Sequence, residues 1–181
     1  MKKFIITLFL LLSTSLLFAF SYSPDATISI GPNFTRYGER IDSYDKARPT
    51  FSLSSSISLI SFTTDENVRL SFPFEFGYMG ESSVENMTNL LARMRFSCGI
   101  KTDLILNGFF SIFINPAIGY TFFPDLDSGA LCLMMTTGMS FRMGNYVSIS
   151  IPIKVVAAKE EAEAEVGVAL SIYPFGYKEA K

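Results

Sequence analysis

A chain of 181 residues with a net charge of −2, no histidine and no tryptophan fits a single domain. Its basic residues are dispersed, which argues against a nucleic-acid surface, and the missing imidazole excludes Ser-His or Asp-His catalysis and histidine metal sites. Hydrophobic residues make up 49% of the chain, yet past the N-terminus no stretch reaches the roughly eighteen apolar residues that a membrane helix needs, so the apolar content is divided among short segments.

Met1-Lys2-Lys3 precedes an apolar run from Phe4 to Leu12, broken only by Thr7, and small residues then lead to Pro24. This pattern predicts a secretory signal peptide over 1–21, with Ala19 and Ser21 at the small-residue positions and cleavage after Ser21. No cysteine stands near that position to carry a lipid anchor. Residues 22–181 are then one exported domain.

Eight extended segments follow, each alternating apolar and polar residues, as a strand between two different surroundings must. The first, Thr27 to Arg36, sets Ile28, Ile30 and Phe34 against Thr27, Ser29, Gly31, Asn33 and Thr35. After a charged loop, 37–48, the second runs from Thr50 to Ser61 with Phe51, Leu53, Ile57 and Leu59 opposing four serines. A polar turn at Thr63 to Asn67 leads to the third, Val68 to Tyr78, whose six apolar residues oppose Arg69, Ser71, Pro73, Glu75 and Gly77. One face of this strand requires an apolar surround and the other requires water or partners.

A second long loop, 79–90, precedes the fourth segment, Leu91 to Leu106, with Arg93, Arg95, Ser97, Gly99, Lys101 and Asp103 on its polar face. Val84, Met87, Leu90, Leu91 and Met94 also show helical spacing, which leaves a short helix open at the end of that loop. Asn107-Gly108 predicts a two-residue type I′ hairpin turn. The fifth segment is Phe109 to Phe122, a loop occupies 124–129, and the sixth is Ala130 to Phe141 with Arg142 continuing its polar row. Gly144-Asn145 reads as another tight turn.

The seventh segment, Tyr146 to Val156, opposes five β-branched residues to Ser148, Ser150, Pro152 and Lys154. Lys159-Glu160-Glu161-Ala162-Glu163 reads as part of a solvated loop over 157–164. The last segment, Glu165 to Tyr173, carries Val166, Val168, Leu170 and Ile172 on one face. Pro73, Pro116 and Pro152 fall inside strands, where each removes a ladder donor and predicts a bulge or break.

Long connections (37–48, 79–90, 124–129, 157–164) thus alternate with short ones. The fold read from these features is all-β, an antiparallel up-and-down transmembrane barrel of eight strands, with a soluble exported barrel or sandwich as the competing class. The polar rows meet inside it and give a lumen network of Arg69, Glu75, Arg93, Arg95, Lys101, Asp103, Arg142, Lys154 and Glu165. An eight-stranded barrel is just wide enough for side chains to fill, so these charges are expected to plug the lumen rather than line a pore or an anion pocket near Arg93 and Arg95.

Other groups carry less. Cys98 and Cys132 fall on opposite faces of strands two places apart, which predicts two free thiols. Ser150 and Lys154 share a face, but inward serines are abundant. Met135, Met139 and Met143 lie in the apolar row and read as filler rather than as soft-metal ligands. Asn33-Phe34-Thr35 and Asn86-Met87-Thr88 match the glycosylation pattern. No catalytic, metal or cofactor residues are assigned.

These features resemble the small eight-stranded outer-membrane barrels, the OmpX-like and OmpA-like class, over nearly the whole exported domain. Glu165, Gly167, Leu170 and Ile172 resemble that family's C-terminal assembly signal, although the chain continues through Phe175 and Tyr177 to Lys181 where the family usually ends at an aromatic residue. The resemblance implies a bacterial outer-membrane location, lipid and the barrel assembly machinery as partners, and a non-enzymatic structural or surface-interaction role exposing the four long loops. A narrow pore or apolar-solute conduit, and a soluble periplasmic ligand-binding barrel, are the alternatives.

Overall fold

The computed structural model describes residues 24–37, 48–65, 67–80, 92–123, 128–158 and 161–177. The signal peptide expected over 1–21 lies outside them. Ten strands occur: β1 (Asp25–Tyr37), β2 (Arg48–Asp65), β3 (Val68–Gly80), β4 (Ala92–Gly99), β5 (Lys101–Ile105), β6 (Phe110–Phe123), β7 (Ser128–Met143), β8 (Val147–Ala158), β9 (Glu161–Val166) and β10 (Val168–Ile172). β4 and β5 form one stave, as do β9 and β10. The eight staves are antiparallel, and β1 pairs with β2 on one side and with β9 and β10 on the other, which closes the barrel.

Alternation sorts the side chains as two surroundings require. Leu131 and Leu133 are 70% and 66% exposed on the outside of β7, while Cys132 between them is 2% exposed inside. The outward row carries Ile28, Ile57, Phe74, Phe96, Ile118, Ile153 and Leu170 around the whole circumference, all exposed. Apolar residues are few inside: Cys132, Met134 and Val156 make one small cluster. Cys98 is exposed, Cys132 buried, and both are free. Met135, Met139 and Met143 face outward, whereas Met79 and Met134 are buried.

The two interrupted staves are explained by proline. Between β4 and β5, the Ile100 N–H donates to the Pro116 carbonyl at 3.1 Å, and Pro116 has no N–H to return. On the other side, pairing with β3 lapses between Cys98 and Lys101, opposite Phe72 and Pro73. Between β9 and β10, the Gly167 N–H donates to the Pro152 carbonyl at 3.0 Å without return, and pairing with β1 lapses opposite Gly31 and Pro32. Each broken stave is therefore flanked by two prolines. The register of β2 on β3 shifts twice, between Thr63 and Asp65 and at a bulge where Leu59 and Ile60 together face Phe72 and both point outward.

Four expectations about connections require correction. Most of 157–164 is strand rather than loop, because Ala157 and Ala158 end β8 and Glu161 to Ala164 begin β9, with Lys159 and Glu160 outside the described residues. The Glu-Ala alternation there continues the period of the closing stave, with Glu163 inside and Ala162 and Ala164 outside. Likewise Met79 and Gly80 belong to β3, Tyr37 and Arg48 to β1 and β2, and Ser128 and Gly129 to β7. The remainder of 37–48, 79–90 and 124–129 lies outside the described residues, as do most positions of the helical alternative, although Met94 is in β4.

Asn107-Gly108 is not a type I′ turn. Positive φ occurs at Gly144 (73°) and Gly176 (76°) among the described glycines, not at Gly108. A four-residue connection, 106–109, forms instead, because the Asn107 side-chain oxygen accepts from the Phe109 and Phe110 N–H groups at 2.9 and 2.8 Å.

Candidate functional site

The inward polar rows assemble into three tiers along the lumen. At the short-turn end, Arg69 donates to Asp25 at 2.8 Å and lies 3.8 Å from Asp103, which also receives Lys101 at 3.0 Å. Lys101 sits over the Phe113 ring, 4.7 Å from its centroid. In the middle, Lys154 pairs with Glu75 and stands 3.8 Å from Glu165. Towards the long loops, one carboxylate oxygen of Glu163 receives Arg93 at 2.5 Å and Arg95 at 2.8 Å, and its other oxygen receives the Asn33 amide at 3.1 Å. Arg95 also donates to Thr121 at 3.0 Å.

The upper and middle tiers carry links that span the lumen, whereas Arg69–Asp103 and Lys154–Glu165 join neighbouring staves. Arg93 and Arg95 on the fourth stave meet Glu163 on the eighth, and Glu75 on the third meets Lys154 on the seventh. Arg93 is 0% and Glu163 3% exposed. A charge taken so far from water is tolerable only with a partner, and one partner removed leaves the other stranded. Ser52, Ser54, Ser58, Ser148, Ser150 and Ser171 line the remaining wall. Between the tiers Ser54, Ser58, Ser150 and Ser171 line a cavity of about 70 Å³ with Ser29, Asn115 and Lys154, room for a few water molecules. Among the described residues no group of three His, Cys, Asp or Glu side chains is placed to hold a metal ion.

No protein-family model and no curated sequence matches the chain. Its shape does match solved structures. Neisserial surface protein A superposes with a TM-score of 0.64 at 9% identity, covering 83% of this chain and 96% of that one. The attachment invasion locus protein Ail of Yersinia pestis follows at 0.52 and 12% identity, covering 84% and 99%. The outer membrane enzyme PagL superposes at 0.51 and 16% identity, covering 82% and 99%. The chain has the fold of the small eight-stranded outer-membrane barrels.

Within this barrel the nine charged residues singled out from sequence all point inward, but they form separate clusters. Arg69, Lys101 and Asp103 share the lowest tier, Glu75, Lys154 and Glu165 the middle one, and Arg93 and Arg95 the upper one. Arg142 stacks on Tyr177, 3.6 Å from the ring centroid. Lys154 is held by carboxylates rather than by Ser150. Sequence reasoning missed Asp25, which precedes the segment read as the first strand, and Glu163, hidden in a charge run. It also missed Tyr177, which lies past the last strand. Asn33, despite its glycosylation pattern, is fully buried against Met79 and Glu163.

Proposed function

We propose that the chain is a non-enzymatic integral protein of the bacterial outer membrane, exported by the segment 1–21, with a structural or surface-interaction role at its long-loop end. The observation that carries the membrane part is the uninterrupted outward belt of exposed Ile, Leu, Phe, Val and Met around all eight staves. A soluble barrel of this size does not leave so much apolar surface in water. Lipid covers the belt, the prolines sit where the ladder already breaks, and Glu165, Gly167, Leu170 and Ile172 serve as the signal read by the assembly machinery. The segments between Tyr37 and Arg48 and between Gly80 and Ala92 are the contact surfaces offered outside.

Two features favour this reading over the alternatives. Two cross-lumen ionic tiers, with a third cluster of charges at the short-turn end, oppose a pore, since ion flow would require these pairs to break and reform. The fold itself accommodates catalysis, PagL being an outer membrane enzyme, but this chain contains no histidine to activate a nucleophile. The experiment is electrophoresis of the washed outer-membrane fraction in SDS with and without boiling. A closed membrane barrel resists SDS until heated, because its ladder has no free edge, and a mobility shift on boiling is the expected result. Recovery of the protein in the soluble periplasmic fraction would overturn the membrane assignment, and channel events in a planar bilayer would favour the pore.

A further inference from the structure

From Ile172 to Tyr177 the chain does not leave the barrel. The Tyr173 N–H donates to the Tyr146 carbonyl at 2.9 Å, and the Tyr177 N–H donates to the Asn145 carbonyl at 2.6 Å. Between them the chain reverses at Gly176, whose φ of 76° suits glycine, and whose N–H donates to the Tyr173 carbonyl at 3.0 Å. The turn joining β7 to β8 therefore holds the tail across the mouth. Tyr173 and Tyr177 meet edge to face at 5.3 Å. The Tyr177 ring covers Arg142 at 3.6 Å and Arg69 at 5.2 Å, and the Tyr173 ring lies 5.2 Å from Arg69. The Tyr173 hydroxyl shares a hydrogen bond with Ser148 at 3.2 Å. With Ser111 and Ser140 these groups leave a space of only about 10 Å³, too small for a hydrated ion.

We propose that residues 173–177 are an aromatic strap that closes the short-turn mouth, shields the lowest ionic tier from solvent, and on displacement opens a mouth lined by Arg69 and Arg142. Two backbone bonds to the turn, the Tyr173–Ser148 bond and cation–π contacts are among the contacts that hold the strap, whereas each stave around it has a ladder on both sides. It is therefore the element at that end which opens most readily. The inference does not depend on what the long loops contact.

The test uses the full chain folded in detergent, with Cys98→Ser and Cys132→Ser removing the native thiols and Ser140→Cys reporting from beneath the strap. The probe is a sulfonate-bearing methanethiosulfonate, whose charge suits a basic mouth. Labelling is expected to be slow in this parent and about tenfold faster in Tyr177→Ala, the scale of losing a desolvated cation–π contact. Tyr177→Phe, which keeps the ring, is expected to label at the parental rate. Gly176→Ala leaves every lumen side chain intact but strains the reversal, and is expected to label fast. Heat-modifiable migration confirms that each variant is folded. If Tyr177→Ala does not fold, Gly176→Ala decides alone. Parental rates in the folded strap variants, or fast labelling in Tyr177→Phe, would overturn the proposal.

Discussion

Replacing Glu163 tests whether the lumen is held by ion pairs or merely contains them. Its carboxylate receives Arg93 at 2.5 Å, Arg95 at 2.8 Å and Asn33 at 3.1 Å, in surroundings with almost no solvent. Removing one partner of a buried pair costs about 3–5 kcal/mol, because the remaining charge is stranded. Glu163→Ala weakens two guanidinium contacts at once and belongs at the upper end of that range. Glu163→Gln keeps an acceptor oxygen and the shape, and loses about 1.5–3 kcal/mol, the size of a hydrogen bond to a charged group. The combined variant Arg93→Leu, Arg95→Met, Glu163→Leu removes every charge of the tier, and is expected to recover most of the loss. Urea unfolding from lipid vesicles, read by the heat-sensitive gel shift, measures all three. A Glu163→Ala variant within about 0.5 kcal/mol of the parent, the range of ordinary surface substitutions, would refute the reasoning. So would a combined variant no more stable than Glu163→Ala.

Arginine on the outward face should cost in proportion to depth: Met135→Arg, midway along β7, about 2–4 kcal/mol, and Met143→Arg, at its end, about 0–1 kcal/mol. Equal losses in vesicle refolding would contradict the lipid belt. The two thiols should separate by face, Cys98 reacting with a lipophilic maleimide in the folded barrel and Cys132 only after unfolding; equal labelling by mass spectrometry would place one of them wrongly. Burial, partly offset by the Arg69 and Arg142 charges, pushes the Tyr177 phenol up to about 12. Its folded pKa is raised above the ordinary value of about 10, so its contribution to stability is fully present below pH ~10 and is lost as pH rises towards 12. Phenolate absorbance of the folded protein against Tyr177→Phe would show a tyrosine titrating late, and an ordinary titration would contradict the packing.

The staves were legible because one physical signal specifies them. Each strand separates an apolar exterior from a polar interior, so a period of two persists even where hydrogen bonding lapses, as from Arg93 through Ile100 to Asp103. Proline positions announced the lapses, although Pro32 works with Pro152 across a seam that only the closed barrel brings together. The bulge also left a trace, since Leu59 and Ile60 interrupt the alternation by one residue. What misled was local chemistry read without the sheet. Lys159 to Glu163 has the composition of a loop, but Glu163 and Glu165 share a face, and that face is the lumen. The Asn107 side chain accepts from the Phe109 and Phe110 N–H groups and so forms a turn its sequence with Gly108 does not suggest.

The partners of the buried charges were the least legible part, and the reason bears on how the barrel specifies its closure. Arg69, Arg93 and Arg95 lie in the middle of the chain, whereas Asp25 and Glu163 come from its first and last staves. The guanidiniums and these carboxylates meet across the lumen, where no rule of neighbouring strands reaches. The Glu163 pairs meet only when the sheet has closed, whereas Arg69 and Asp25 are already joined through β2. A one-residue slip of β9 would turn Glu163 to the outside, set Ala162 or Ala164 against Arg93 and Arg95, and place a carboxylate in the apolar belt. Both consequences are costly, so closure in any other register is opposed twice. The lumen charges thus do more than fill a narrow barrel: they make the last seam selective for the one alignment in which β1, β9 and β10 pair as found.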